Sequence, residues 1–271
     1  MKNSIFKCSL TLALGIILFA FNGCTLLSAA GLSDKGLSNK KAPDKLTSTT
    51  ANSAVNLDHS AWTELLQKHV NSNGDVAYKA FKKDREKLDE YLNMLSKNKP
   101  TKAWSVQEQL AYYINLYNAH TVALILDNYP LKSIKDIDSP WAKAIVPVGN
   151  KELSLGGIEN SILRKMNEAR IHFAINCASI SCPKLLNEAY TAAKIDEQLD
   201  KVTREFINSD RNEISENSAK LSSVFNWYKR DFVTEESNSI REYLNQYSET
   251  KINRGTKISF KDYNWNLNEQ K

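Results

Sequence analysis

The chain lacks the features that mark several large classes of protein. Its 271 residues show no internal repeat and no long run of like charge, because 36 Lys and Arg are interspersed with 31 Asp and Glu. Without a basic stripe, nothing indicates a nucleic-acid partner. A phosphate-binding glycine loop is also missing, since Gly156-Gly157 alone is a weak signal that more simply turns the chain. No cofactor and no metal are predicted.

Long hydrophobic runs are scarce, and the one near the start is too short to span a bilayer comfortably. Ser9 to Phe21 is apolar and follows two lysines, which is typical of a signal peptide. The run leads into Phe21-Asn22-Gly23-Cys24, which resembles the lipobox of bacterial lipoproteins. In that pattern the leader is cleaved just before the cysteine, and the cysteine thiol is then acylated.

The resemblance implies a membrane partner, reached through a lipid on Cys24. No acidic residue follows Cys24 directly, which resembles lipoproteins held at the outer membrane and facing the periplasm. Ordinary cleavage after Ser28-Ala29-Ala30 and an uncleaved anchor are the alternatives. We therefore expect a signal peptide over residues 1–23, a flexible linker over 24–56 and one folded domain over 57–271, because residues 25–56 are small, polar and aperiodic.

Within that domain, helices outnumber short scattered strands. The strongest helix is predicted over Ser105 to Leu126, where Ser105 and Glu108 form a capping box. A β-hairpin is predicted around Gly149-Asn150, a polar loop over residues 208–219 and a final strand at residues 258–260. The pattern predicts a helix-rich α+β domain with a small mixed or antiparallel sheet.

Two asparagines inside the long helix are unusual for that position. Asn115 and Asn118 are three residues apart and therefore share one face. Asparagine is a poor former of helix interiors. We expect their side chains to hydrogen-bond a neighbouring loop, or to bind substrate.

The segment Arg170 to Pro183 concentrates reactive side chains, with one of the four histidines and two of the four cysteines of the chain. Residues 171–176 alternate with a period of two, which predicts a strand. Small polar residues and Pro183 follow, which predicts a tight loop.

Several motifs resemble, in order, those of a bacterial and plant family. They are Tyr113-Ile114-Asn115-Leu116-Tyr117-Asn118-Ala119, Leu153-Ser154-Leu155, Ile158-Glu159, Ile162-Leu163-Arg164, Ile171-His172-Phe173-Ala174, Cys177, Ser181-Cys182-Pro183, Phe225-Asn226-Trp227-Tyr228, Asp231-Phe232 and Tyr263-Asn264-Trp265. From about Trp62 to Asn268 the chain resembles the family called domain of unknown function 547. The resemblance implies no activity, because none is assigned to that family.

A cysteine nucleophile is the first hypothesis for the chemistry. A thiolate, an imidazole base and an orienting group together carry out acyl transfer. The candidates are Cys177 or Cys182 as nucleophile, His172 as base, Glu159 as orienting group, and Asn115 and Asn118 as hydrogen-bond donors.

Strand geometry favours Cys182 over Cys177. If the strand continued, His172 and Cys177 would stand roughly 16 Å apart on opposite faces. Pro183 is favoured at the first turn of a helix, and a helix from Lys184 would lower the pKa of the Cys182 thiol.

Other interpretations of the same residues stay open. His172 and Cys177 are interpreted equally well as buried structural residues, with Glu159 and Arg164 as an internal ion pair. Cys177 and Cys182 are also candidates for a disulfide, and a zinc site is a weaker alternative because the spacing matches no familiar pattern. A non-catalytic binding domain with an aromatic groove is the main rival to an enzyme.

Overall fold

The computed structural model describes residues 37–49, 55–234 and 236–271. Helices dominate this part of the chain. The α-helices are α1 (Ser60–His69), α2 (Tyr78–Phe81), α3 (Arg85–Lys97), α4 (Val106–Asn128), α5 (Leu155–Gly157), α6 (Ile171–Ala174), α7 (Ile195–Ile207), α8 (Val224–Trp227) and α9 (Ile240–Tyr247). Turns of 3-10 helix lie at Lys82–Asp84, Ile134–Asp136 and Leu163–Met166, and a π-helical turn lies at Ile158–Ile162.

In the described ranges, five short strands form two small sheets. They are β1 (Val146–Val148), β2 (Lys151–Leu153), β3 (Glu213–Ser215), β4 (Ser218–Leu221) and β5 (Ile258–Phe260). β1 and β2 form the antiparallel hairpin that was predicted, with Val146 opposite Leu153. β4 pairs antiparallel with β3 and parallel with β5. The predicted α+β class with a small mixed or antiparallel sheet is confirmed.

Helix α4 runs through the core. The Ser105 Oγ accepts a hydrogen bond from the Glu108 amide at 3.1 Å, and Glu108 Oε2 accepts one from the Ser105 amide at 2.7 Å, so the predicted capping box is present. Every residue from Glu108 to Leu126 is buried, so the helix is enclosed on all sides. None of the helices in the described ranges has both the length and the apolar character needed to cross a membrane.

The prediction of a polar loop over residues 208–219 is wrong for the second half of that range, which contains β3 and the start of β4. These strands are polar because one face is exposed, and only Ala219 and Leu221 are buried in β4. β4 also pairs with β5, about forty residues further along the chain.

Part of the segment expected to be a flexible linker packs against the domain. In residues 37–49, Ala42 and Leu46 are buried, and the Ala42 amide donates to the Met166 carbonyl at 2.6 Å. The packed region therefore includes residues before Leu57. Cys24, the predicted signal peptide and residues 25–36 and 50–54 of the predicted linker lie outside the described residues.

Candidate functional site

A cleft of about 360 Å³ brings together most of the predicted site residues. His172, Cys177, Cys182 and Glu159 all line it. The other lining residues are Tyr117, Trp141, Gly156, Asn160, Ile175, Pro183, Val224, Trp227, Tyr228, Tyr263 and Trp265. Together the lining residues come from α4, α5, the π-helical turn, α6, the loop with Cys177 and Cys182, α8 and the C-terminal segment, so the cleft is assembled from segments far apart in the sequence.

The strand predicted at residues 171–176 is wrong. Ile171–Ala174 forms the short helix α6, and the backbone becomes extended only at Ile175. All four residues of α6 are buried. The alternation along residues 171–174 therefore does not reflect one exposed and one buried face of a strand. The separation of His172 and Cys177 expected for a strand therefore does not apply.

Of the two alternatives for residues 184–190, an irregular path and a short helix, the structure has the irregular path. Tertiary contacts hold this segment, as the Ala189 amide donates to Thr63 Oγ1 at 3.0 Å. The short helix that would have pointed its N-terminus at Cys182 is therefore not formed. The Arg211 guanidinium binds this part of the loop, donating to the carbonyls of Cys182 at 3.1 Å and Ile180 at 2.8 Å.

The two asparagines of α4 lie beneath the cleft and hold the chain around it. Asn118 donates from Nδ2 to the Ala174 carbonyl at 2.9 Å and accepts from the Asn176 amide at 2.8 Å. Asn115 likewise donates from Nδ2 to the Tyr190 carbonyl at 2.8 Å and accepts from the Tyr190 amide at 3.0 Å. Neither lines the cleft, so their contacts are with the backbone.

Both loop thiols are free, so the disulfide that the sequence left open is not formed. Cys182 is buried, and its Sγ accepts a hydrogen bond from the Cys177 amide at 3.0 Å. Cys177 is partly exposed, and its Sγ lies 3.1 Å from Ser179 Oγ and 3.2 Å from the Tyr263 hydroxyl. Ala178, which directly follows Cys177, adopts the left-handed conformation at φ 58°, and this turns the chain sharply.

The two thiols have pKa values shifted in opposite directions. The hydrogen bond with the Cys182 thiol, followed by those of Ser179 and Tyr263, holds the pKa of Cys177 below its ordinary value despite burial. Burial and the neighbouring Cys177 raise the pKa of Cys182 well above its ordinary value. Cys177 is therefore the better thiolate of the pair.

His172 pairs with Asp231, not with Glu159. The His172 Nε2 lies 2.8 Å from Asp231 Oδ2, and the Arg164 guanidinium also donates to both oxygens of that carboxylate. Burial acts to raise the pKa of Asp231, but the hydrogen bonds from His172 and Arg164 hold it well below its ordinary value. Because a carboxylate only accepts, Nε2 carries the proton and Nδ1 keeps the lone pair in neutral His172.

The Nδ1 atom of His172 is buried and has no hydrogen-bond partner among the described residues. The ring stacks on Tyr228, with centroids 4.0 Å apart. Within the same part of the chain, no hydrogen bond joins His172 to either loop thiol. Asp231 was not among the predicted site residues, although the motif Asp231-Phe232 was one of the signals of the family resemblance.

Glu159 is held by two tyrosines. The Tyr117 hydroxyl donates to Oε2 at 3.4 Å, and the Tyr228 hydroxyl donates to Oε1. The ion pair considered between Glu159 and Arg164 is not seen, because Arg164 pairs with Asp231. Among the described residues, no three His, Cys, Asp or Glu side chains are grouped closely enough to hold a metal ion.

Comparison with known proteins gives one match. Residues 101–207 match the family described as "Protein of unknown function, DUF547". This stretch contains α4 and the loop with Cys177 and Cys182. The later motifs around Trp227 and Tyr263 lie outside it. No curated protein and no solved structure matches the chain.

Proposed function

Because the chain contains a DUF547 domain at residues 101–207, which carries no assigned activity, we propose a function from the chemistry of its cleft. The proposal is cysteine-dependent acyl transfer on a peptide or amide bond, with Cys177 as nucleophile. The observation that carries it is the partly exposed Cys177 thiol with a lowered pKa, in the cleft that His172 also lines. A thiolate and an oriented imidazole are the components that such reactions need.

His172 serves as general base and Asp231 as its orienting group. The free lone pair on Nδ1 accepts the Cys177 thiol proton once substrate fills the cleft, since catalytic hydrogen bonds often form only in the substrate complex. The sulfur then attacks the carbonyl carbon. His172 returns the proton to the leaving amine as the C–N bond breaks, and water or an acceptor amine releases the acyl group from the thioester.

The roles of the remaining predicted residues follow from their contacts. Cys182 supports the loop because its Sγ accepts a hydrogen bond from the Cys177 amide. Asn118 holds the backbone on both sides of Ile175. Asn115 holds Tyr190 in the following segment. We assign these three residues to positioning.

The test measures alkylation of each cysteine in the folded, full-length protein with iodoacetamide, mapped by mass spectrometry. We expect Cys177 to react at least about tenfold faster than Cys182, because the thiolate is the reactive species. Because His172 is not hydrogen-bonded to Cys177 in the free protein, His172→Gln should leave this alkylation rate unchanged, whereas Cys182→Ala, which removes the first of the hydrogen bonds that lower the pKa of Cys177, should slow it. Inert thiols, or faster reaction at Cys182, would contradict the assignment.

A non-catalytic binding role is the second candidate, and one observation favours it. Trp227 is 46% exposed and stacks on Trp265 with ring centroids 5.7 Å apart at 22°. An exposed aromatic platform beside a cleft is typical of ligand binding. An unreactive Cys177 in a protein that still binds a peptide or glycan would favour this role over catalysis.

The cellular setting proposed from the sequence is the bacterial cell envelope. A lipid on Cys24 would anchor the domain at the outer membrane, facing the periplasm. The support is the apolar leader and the lipobox-like motif before Cys24. Radiolabelled palmitate should enter the wild-type protein and not Cys24→Ala, and incorporation into that variant would remove the proposal.

A further inference from the structure

Glu159 is a buried carboxylate without a cationic partner in the described part of the chain. Only 7% of its surface is exposed, and its hydrogen bonds come from the neutral hydroxyls of Tyr117 and Tyr228. The two nearby basic side chains, Arg164 and His172, both pair with Asp231. A buried carboxylate is costly unless a positive charge compensates it. Glu159 therefore lines the cleft without a salt bridge of its own among the described residues, although the nearby Arg164 interacts with it electrostatically.

The same cleft offers aromatic faces. Trp141, Trp227 and Trp265 line it, and Trp265 contacts the other two with ring centroids 5.7 Å apart in each pair. Tyr228 already contacts the His172 ring at 4.0 Å and the Arg164 guanidinium at 5.3 Å. Lys135 already lies over Trp265, with its Nζ 5.3 Å from the ring centroid, so Trp141 and Trp227 are the tryptophan faces left for a ligand. Indole faces attract cations more strongly than other aromatic side chains do.

We propose that the cleft recognises a substrate that carries a primary ammonium group on a short alkyl chain, such as a lysine-like side chain in a peptide. The ammonium group contacts Glu159 and the tryptophan faces. The cleft volume of about 360 Å³ admits such a side chain together with its flanking backbone. The inference rests on the proposed function only in naming the ligand a substrate, because recognition of the cation does not require the reaction.

Recognition and reactivity are electrostatically linked. The negative charge of Glu159 acts to raise the pKa of the Cys177 thiol, opposing the hydrogen bonds that lower it. An ammonium group beside Glu159 would neutralise that charge and favour the thiolate. A cationic substrate would therefore activate the nucleophile on binding.

The binding experiment uses full-length Cys177→Ala protein, so that no reaction occurs. Isothermal titration compares Nα-acetyl-lysine methylamide with the neutral, similarly shaped Nα-acetyl-norleucine methylamide. We expect the lysine probe to bind about tenfold more tightly. Adding Glu159→Gln should reduce the difference to less than about twofold. The matched control Glu152→Gln, at an exposed position on β2, should leave it unchanged.

A second variant keeps the test decisive if Glu159→Gln does not fold. Trp227 is half-exposed, so Trp227→Leu should fold and should weaken binding of the lysine probe several-fold. Equal affinity for both probes, or no binding of the lysine probe at about 10 mM, would overturn the inference. A preference that survives Glu159→Gln would do the same.

The two proposals fail in different ways. Cation preference with an inert Cys177 in the wild-type protein would remove the acyl-transfer function alone. Selective alkylation of Cys177 without any cation preference would remove this inference alone.

Discussion

Asn118 in α4 and His172 at the cleft are buried almost equally, at 2% and 3% exposure, but their polar atoms are used differently. Asn118 uses its oxygen and its nitrogen in two short bonds to the backbone. In His172, Nε2 is hydrogen-bonded to Asp231, whereas Nδ1 has no hydrogen-bond partner among the described residues. Buried polar atoms are normally paired, so the difference separates a group that maintains the fold from one with a free site for chemistry.

The same difference holds between Asn115 and Glu159. The Asn115 side chain is hydrogen-bonded to both backbone groups of Tyr190, whereas Glu159 accepts hydrogen bonds from two tyrosines but makes no salt bridge among the described residues. The two asparagines are therefore satisfied by the backbone, while His172 and Glu159 at the cleft keep unused capacity. Changes in the core should affect stability, and changes at the cleft should affect reactivity.

The largest effect should come from Asn118→Ala. The substitution leaves the Ala174 carbonyl and the Asn176 amide unpaired in a buried position, which should cost about 3 kcal/mol of the free energy of unfolding. Urea denaturation measures the loss, and the exposed Asn93→Ala in α3 should change it by less than about 0.5 kcal/mol. A loss below about 1 kcal/mol would show that the core asparagine is not a structural group of the kind described.

Acidification should act next, through two core histidines. Burial lowers the pKa of His59 to about 4, and burial followed by the Arg85 charge lowers that of His120 to about 4. Because the unfolded chain binds protons on these groups near pH 6.5 and the folded chain does not, stability should fall as pH drops from about 6.5 towards 4. We expect about 1–2 kcal/mol per histidine between pH 7 and pH 5.

Thermal unfolding at pH 7 and pH 5 measures this dependence. His59→Gln combined with His120→Gln should flatten it, because glutamine does not titrate. An equally steep loss in the double variant would assign the acid sensitivity to other groups.

Tyr263→Phe should have a smaller effect, confined to the cleft. It removes one of the hydrogen bonds that hold the pKa of Cys177 down, after those of the Cys182 thiol and the Ser179 hydroxyl. With a higher pKa, less thiolate is present at neutral pH, so alkylation of Cys177 should slow about threefold. Tyr247→Phe is the matched control, because Tyr247 does not line the cleft. A large change in melting temperature with unchanged alkylation would contradict the division between the two regions.

The smallest effect should come from Glu159→Gln. Removing the negative charge lowers the pKa of the Cys177 thiol, so alkylation at neutral pH should become about twofold faster. The rate should reach its plateau at lower pH than in the wild-type protein, and Glu152→Gln should leave the profile unchanged. A slower reaction would indicate that Glu159 assists the thiol instead of opposing its ionisation.

Features that depend on neighbours in sequence were predicted well. The start of α4 follows from Ser105 and Glu108, which complete each other's hydrogen bonds within one turn. The β1–β2 hairpin follows from Gly149-Asn150 between two short apolar stretches, and Gly149 has the positive φ of 60° that such a turn requires. In both cases the partners are a few residues apart, so the local pattern contains the whole interaction.

Features that depend on the surroundings of a segment were predicted poorly. Alternation at residues 171–174 indicates a strand only if one face meets water, and here all four residues are buried in α6. Pro183 permits a helix, but Thr63 and Asn115 bind the backbone of Ala189 and Tyr190 in an irregular path. Tertiary hydrogen bonds outweighed local preference in that segment.

The order of residues alone places His172, Cys177 and Cys182 within one short segment and shows that two asparagines of α4 need partners. The fold then sets which thiol is accessible and what each group faces. Asp231 reaches His172 from 59 residues away, and Tyr263 reaches Cys177 from 86 residues away. The physical reason is that a hydrogen bond requires its two atoms within about 3 Å, and the path of the whole chain sets that distance for residues so far apart.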